Sequence, residues 1–297
     1  MSSRAAVLFA LVAVLWGIPY LFIKVAIDEL SAPAIVFARV ALGALVLLPM
    51  ALRSGALDGL RGRLGALLAL ALLDFVAPFL LITAGESAIS SSLAGILVAS
   101  VPLMLAALAV RFDPEERVDG RRLAGLLVGL GGVVLLLGFE VSAQGDALLG
   151  AGAVLLASLS YAASALLYKR RFGDLPPIGV VAGALAVAAL LLAVPAALAA
   201  PSELPSADVL GAVAGLGVLS TAAGFVCFYA LMALVGPSRA SVITYLAPAV
   251  AVAAGVLVLD EELTAGTVAG FALVLLGSWI ATRRAAGREA TASSPGS

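Results

Sequence analysis

Ten times between Ala5 and Thr282 the chain runs through about 20 residues with almost no charge, the length a helix needs to cross ~30 Å of hydrocarbon. The runs are Ala5–Ile27, Pro33–Leu52, Leu64–Ala84, Leu93–Val110, Leu123–Phe139, Ala147–Tyr168, Ile178–Ala200, Val209–Leu231, Ala240–Leu259 and Ala265–Thr282. They leave only short connections, so no loop can hold a soluble domain. Whatever the protein does is done within the bundle or at its mouths. Composition agrees: 63% of residues are hydrophobic and 12% charged, against roughly 25% charged in soluble domains. The expected fold is an all-α membrane protein with ten transmembrane helices and a lipid bilayer as its partner. The first run is too long for the ~7–15-residue core of a signal peptide and reads as a retained span.

The charges test this count independently of hydropathy. With the N-terminus inside and the chain alternating, the inner side holds Arg4, Arg53, Arg61, Arg63, Arg111, Arg117, Arg121, Arg122, Lys169, Arg170, Arg171, Arg239, Arg283, Arg284 and Arg288. The outer loops hold no basic residue, and Lys24 and Arg39 fall inside spans. One missed helix would scramble that segregation, so the positive-inside rule supports ten spans in the plasma membrane with both termini cytoplasmic. The tail 283–297 is polar and small, and reads as disordered.

Absent residues narrow the chemistry. There is no histidine, and Cys227 is the single cysteine. The commonest metal ligand and general base is thus missing, and an intrachain disulfide is impossible. No GxxxxGK[ST] loop is present for ATP. No cofactor, metal or enzymatic activity is expected, and the net charge of -1 excludes a basic nucleic-acid binder.

At an offset of 145 residues the chain resembles itself. Trp16 aligns with Tyr161, Lys24 with Lys169, Glu116 with Glu261, Gly125 with Gly270 and Gly132 with Gly277; a one-residue slip pairs Pro102 with Pro248. The halves span 5–139 and 147–282 within one transporter domain, 1–282. Each has five spans, so the second enters the membrane inverted. Inverted repeats of this kind occur in secondary transporters, with the site between the halves.

Specific motifs sharpen this reading. The first span carries Leu15-Trp16-Gly17-Ile18-Pro19-Tyr20, then Lys24-Val25-Ala26. The second half carries Tyr245-Leu246-Ala247-Pro248, Asp260-Glu261-Glu262-Leu263-Thr264, Gly270 and Gly277. Together they resemble the drug/metabolite transporter (DMT) superfamily, in particular its EamA-type members. The first half departs from that pattern at Phe112-Asp113-Pro114-Glu115-Glu116, which leaves open whether Glu115 or Glu116 takes the loop position. The resemblance implies a carrier of small metabolites, often amino acids, driven by an ion gradient or by exchange, with export as the working direction.

Asp74 lies about eleven residues, or ~16 Å, into its span. A charge at that depth costs at least ~2.5–3.5 kcal/mol. It is a candidate for proton coupling or for binding a substrate amine; alternatively it is a structural carboxyl held by Arg39 or a hydroxyl. Arg39 either snorkels outward or turns inward to hold a carboxylate. Lys24, near its helix end, is better placed to snorkel than to bind substrate. Trp16 is too deep for an interfacial belt and is a candidate cavity residue, as is Tyr161. Tyr229 and Tyr245 are either substrate contacts or interfacial anchors. The serines before the fourth span cap it or offer its N-terminus to an anion. Pro19, Pro102 and Pro248 suit gate pivots or fixed bends. Gly125, Gly132, Gly270 and Gly277 suit close helix packing, in the bundle or at a homodimer face. Glu116 and Glu261 precede helices, where a negative charge is favoured.

The function these residues point to is secondary active transport of small metabolites such as amino acids by alternating access. A membrane enzyme lacks an acid/base partner for Asp74. A receptor or scaffold has no evident use for an inverted repeat.

Overall fold

The computed structural model describes residues 2–112, 120–140 and 145–282. Glu115, Glu116 and the tail lie outside the described residues. Among the described residues nine helical stretches are long and apolar enough to cross a membrane: α1 (Ser3–Ala26), α2 (Ala32–Arg53), α3 (Asp58–Glu86), α4 (Ser91–Leu108), α5 (Gly120–Gly138), α6 (Gly145–Arg171), α7 (Pro177–Leu198), α8 (Ala207–Val235) and, last in the chain, α10 (Ala265–Thr282). The shorter apolar helix α9 (Ile243–Val258) precedes α10. The protein is an all-α, multi-spanning membrane protein. The expected runs find their helices, with one shortening of note: the ninth begins at Ile243, after a four-residue turn, Pro237–Ala240.

Helix partners follow a regular scheme. α2 packs on α7, α4 on α9 and α5 on α10, while α3 packs on α6 and α1 on α8 and α9. The α5–α10 contact is made of glycine. A Cβ on Gly125 would lie 2.5 Å from the Ala281 backbone nitrogen, and one on Gly132 2.8 Å from the Gly270 carbonyl. Gly277 faces the backbones of Gly125 and Gly129. These glycines therefore pack helix on helix within the chain and are not left free for a dimer face. Small residues allow such approach where lipid supplies no hydrophobic drive between helices. Two large apolar clusters and a small one around Val12, Ala13 and Ile243 form the interior, and Tyr161 packs against both large ones.

The helices are interrupted where the sequence removes hydrogen bonds. α1 breaks at Ile18, before Pro19, and α4 at Ala99–Ser100, before Pro102. Proline cannot donate to the preceding turn. Near the α4 break Ser100 donates to the Leu97 carbonyl (2.6 Å), and Ser278 reaches that of Ala99 (3.3 Å). Pro248 lies inside α9, which is assigned as one helix, so the Pro102–Pro248 match does not extend to a matching break. Two wider, π-helical turns also occur, Leu72–Val76 in α3 and Gly215–Ala223 in α8. The 145-residue offset maps the first onto the second. Such bulges recur at functional sites.

Side-chain bonds join loops at the two ends of the bundle. At one end Ser206 N–H donates to Glu29 (2.7 Å) and Ser31 to the Ala199 carbonyl (3.0 Å). At the other, the Arg63 fork grips Asp174 at 2.6 and 2.7 Å and holds that carboxyl below its ordinary range. Tyr245 pairs with Thr282 (3.0 Å) at this same end.

Candidate functional site

Arg39 turns inward. It is 9% exposed. Its guanidinium carbon sits 3.7 Å from the Phe79 ring centroid, and its Nε donates to Thr221 Oγ1 at 3.1 Å. Thr221 donates in turn to the Leu216 carbonyl (2.8 Å), within the α8 bulge. Arg39 therefore ties α2 to α3 and α8. Ring face and hydroxyl offset part of the cost of burying the cation: a desolvated cation–π contact is worth ~2 kcal/mol or more, against several kcal/mol for a buried ion. Among the described residues its terminal nitrogens have no hydrogen-bond partner. They form a fork suited to a carboxylate.

Asp74 sits in the α3 bulge and pairs with Ser164, not with Arg39. Ser164 Oγ also lies 2.8 Å from the Tyr161 carbonyl. A hydroxyl has one hydrogen to give. Both contacts are satisfied together when Asp74 is protonated and donates to Ser164, which then donates to Tyr161. An ionised Asp74 would draw the hydroxyl away. Ser160 donates to the Leu73 carbonyl (2.7 Å) in the same bulge.

Aromatic rings surround these groups. Trp16 lies 5.6 Å from Phe225 and 4.7 Å from Phe228; Phe225 continues to Phe75 (6.0 Å) and to Tyr229 (6.0 Å, stacked), and Phe75 to Phe79 (5.7 Å). Arg39 lies within electrostatic range of Tyr20, Tyr161 and Glu86, and Asp74 within range of Tyr161, Tyr168 and Tyr229. Trp16, Arg39, Asp74, Tyr161 and Tyr229 thus gather in one interior region. Tyr229 is not at a membrane boundary belt. Tyr245 stays outside the cluster, on Thr282.

Lys24 does not snorkel. Its ammonium donates to the carbonyls of Glu86 (2.7 Å) and Ile89 (3.0 Å), capping the end of α3, where a cation is favoured. The serine cap on α4 is Ser90, which accepts from Leu93 N–H (3.1 Å). An anion occupies that N-terminus as well, and it comes from the chain itself. Glu261 accepts from Ser91 N–H (2.7 Å), Ser92 N–H (2.9 Å) and Ser92 Oγ (2.5 Å). Glu261 therefore serves α4, not the helix that follows it in sequence. Burial alone would push its carboxyl up, but these hydrogen bonds outweigh it and hold the group below its ordinary range.

Several participants escape a reading of sequence. Glu86 ends an apolar run and looks like a loop charge, yet it is 0% exposed. Tyr20, Phe79 and Phe225 look like core, and Thr221 like a helix-packing hydroxyl. The inward-facing neighbours of Arg39 were the missing signal.

Apolar helices of membrane length thus enclose an inward-turned arginine and the carboxyls of Asp74 and Glu86, an interior that suits a membrane transporter of small molecules. The EamA-like transporter family model matches the chain twice, over residues 3–138 and 148–283, and the chain belongs to that family. It is 27% identical over 285 residues to an uncharacterized transporter of Archaeoglobus fulgidus, covering 94% of this chain and 98% of that one. It is 30% identical over 256 residues to the inner membrane transporter YedA of Escherichia coli (strain K12), with 84% and 80% covered. A solved crystal structure shares the fold at a TM-score of 0.67 and 21% identity, covering 95% of this chain and 97% of that one.

Proposed function

We propose that the chain is a secondary active transporter that exports small metabolites carrying a carboxylate, amino acids among them, by alternating access. The reading is of ten spans in two inverted five-helix repeats, 5–139 and 147–282, with both termini cytoplasmic in the plasma membrane. The helix partners support it: under a swap of the two halves the α2–α7, α4–α9 and α5–α10 pairs map onto themselves, and α1–α8 exchanges with α3–α6. The two family matches divide the chain at the same place. The segregation of basic residues supports the orientation.

The observation that carries the proposal is Arg39, a buried cation whose fork bonds no carboxylate among the described residues. An amino acid's carboxylate fits the fork, and the Trp16, Phe225 and Tyr229 rings offer an apolar wall. Asp74 is the coupling carboxyl in this reading, because its link to Ser164 and Tyr161 changes partners with its proton. The test is uptake of radiolabelled amino acids by purified protein in liposomes under an imposed pH gradient. Arg39→Ala abolishes flux. Asp74→Asn loses dependence on the gradient; equal gradient-driven uptake by wild type and Asp74→Asn refutes the coupling role.

A further inference from the structure

Glu86 closes α3 beside Lys24. It is fully buried, and neither carboxyl oxygen has a hydrogen-bond partner among the described residues. The nearest cation, Lys24, directs its ammonium to the backbone carbonyls of Glu86 and Ile89. The carboxylate of Glu261 sits close by on the α4 N-terminus, adding a like charge. An ionised carboxylate with no hydrogen bond in such a place costs far more than a neutral acid.

We propose that Glu86 is a second proton-binding site, loaded while Glu261 sits on the α4 N-terminus, as in this structure, and opened to the outer medium when Glu261 leaves it. The ligand is a proton and not a metal cation, because the two carbonyls that would complete a cation shell already accept from Lys24. The charged and titratable groups around Glu86 are Lys24 and Tyr20 on α1, Arg39 on α2 and Glu261 in the loop before α10, with Tyr161 on α6 beyond Tyr20. Two of these lead inward. Tyr20 lies within electrostatic range of both Glu86 and Tyr161, and Tyr161 within range of Asp74. Gly255 makes the latch possible: a Cβ there would strike Glu261 Oε2 and Ser92 Oγ. The inference rests on the transporter reading for its purpose, but its test does not.

The test is infrared spectroscopy of the protein in lipid nanodiscs at neutral pH, following the C=O stretch of protonated carboxyl groups. Wild type and Asp74→Asn show a protonated-carboxyl band that Glu86→Gln lacks. In Glu261→Ala the same band exchanges faster in heavy water. If Glu86→Gln does not fold, wild type carrying 13C in its glutamate carboxyls answers the same question, because the band must shift. A spectrum unchanged by Glu86→Gln, or a band unmoved by the glutamate label, overturns the proposal. Absence of amino-acid flux would instead count against the substrate class proposed above and leave the infrared result standing.

Discussion

Removing the Glu261 carboxylate should loosen the end of the bundle at the α4 N-terminus by an amount that can be worked from its bonds. Glu261 accepts three hydrogen bonds, two of them from backbone N–H groups in the first turn of α4. Hydrogen bonds to charged groups contribute ~1.5–3 kcal/mol each when buried, and a charge at a helix N-terminus adds ~0.3–1 kcal/mol. The site is only half buried, so water would replace part of this after Glu261→Ala. A net loss of about 2 kcal/mol is the sensible figure, and at 1.4 kcal/mol per factor of ten it favours opening by about 30-fold. Ser91 is the reporter. Its backbone N–H meets Glu261, while its buried hydroxyl makes no hydrogen bond of good geometry among the described residues, so Ser91→Cys disturbs little. In a Cys227→Ser background, a membrane-impermeant maleimide should label that cysteine about 30-fold faster in Glu261→Ala than with Glu261 intact. An unchanged rate, in protein that still elutes as a folded species, would refute the idea that Glu261 closes this end.

The same bonds set a pH dependence. Because the Glu261 carboxyl is held below its ordinary range, the latch is fully present above the usual carboxylate range and weakens as pH falls through the lowered value. Labelling of Ser91→Cys, taken relative to a fully exposed cysteine so that the changing thiolate fraction cancels, should therefore accelerate in acid and stay flat around neutrality. Gly277→Val should destabilise the bundle by at least ~1–3 kcal/mol, since its Cβ meets the Gly125 and Gly129 backbones, which cannot rotate away; thermal unfolding in detergent reads this. Arg39→Lys should not restore transport lost in Arg39→Ala, because an ammonium cannot both lie on Phe79 and present a planar fork; liposome flux of amino acids is the measure.

Much of the architecture is legible in sequence because lipid demands it. A membrane helix must be apolar over ~30 Å, so the runs locate α1 to α10 and the basic residues locate their ends. The glycine matches at 125, 132, 270 and 277 likewise announce a close helix contact, although only the structure says that α5 and α10 make it with each other. The site is less legible. Arg39 and Asp74 stand out because charge is rare at depth, but the periodicity of a short apolar span does not say which way a side chain turns. Glu86 and Glu261 were harder, since both follow apolar runs and read as loop charges. Their roles come from contacts across 62 to 170 residues of sequence, Lys24 to Glu86 and Glu261 to Ser91. The π-helical turns leave no mark on hydropathy at all, because they alter backbone spacing without altering composition.

Alternating access is tested most directly by pulsed electron–electron distance measurements on paired spin labels in nanodiscs. One pair, at Ser87 and Glu262, spans the end closed by Glu261; the other, at Arg61 and Arg170, spans the opposite end. With Glu261→Ala the first distance should lengthen and the second shorten, as one gate opens and the other closes. Two distances that stay fixed, or that lengthen together, would contradict the account.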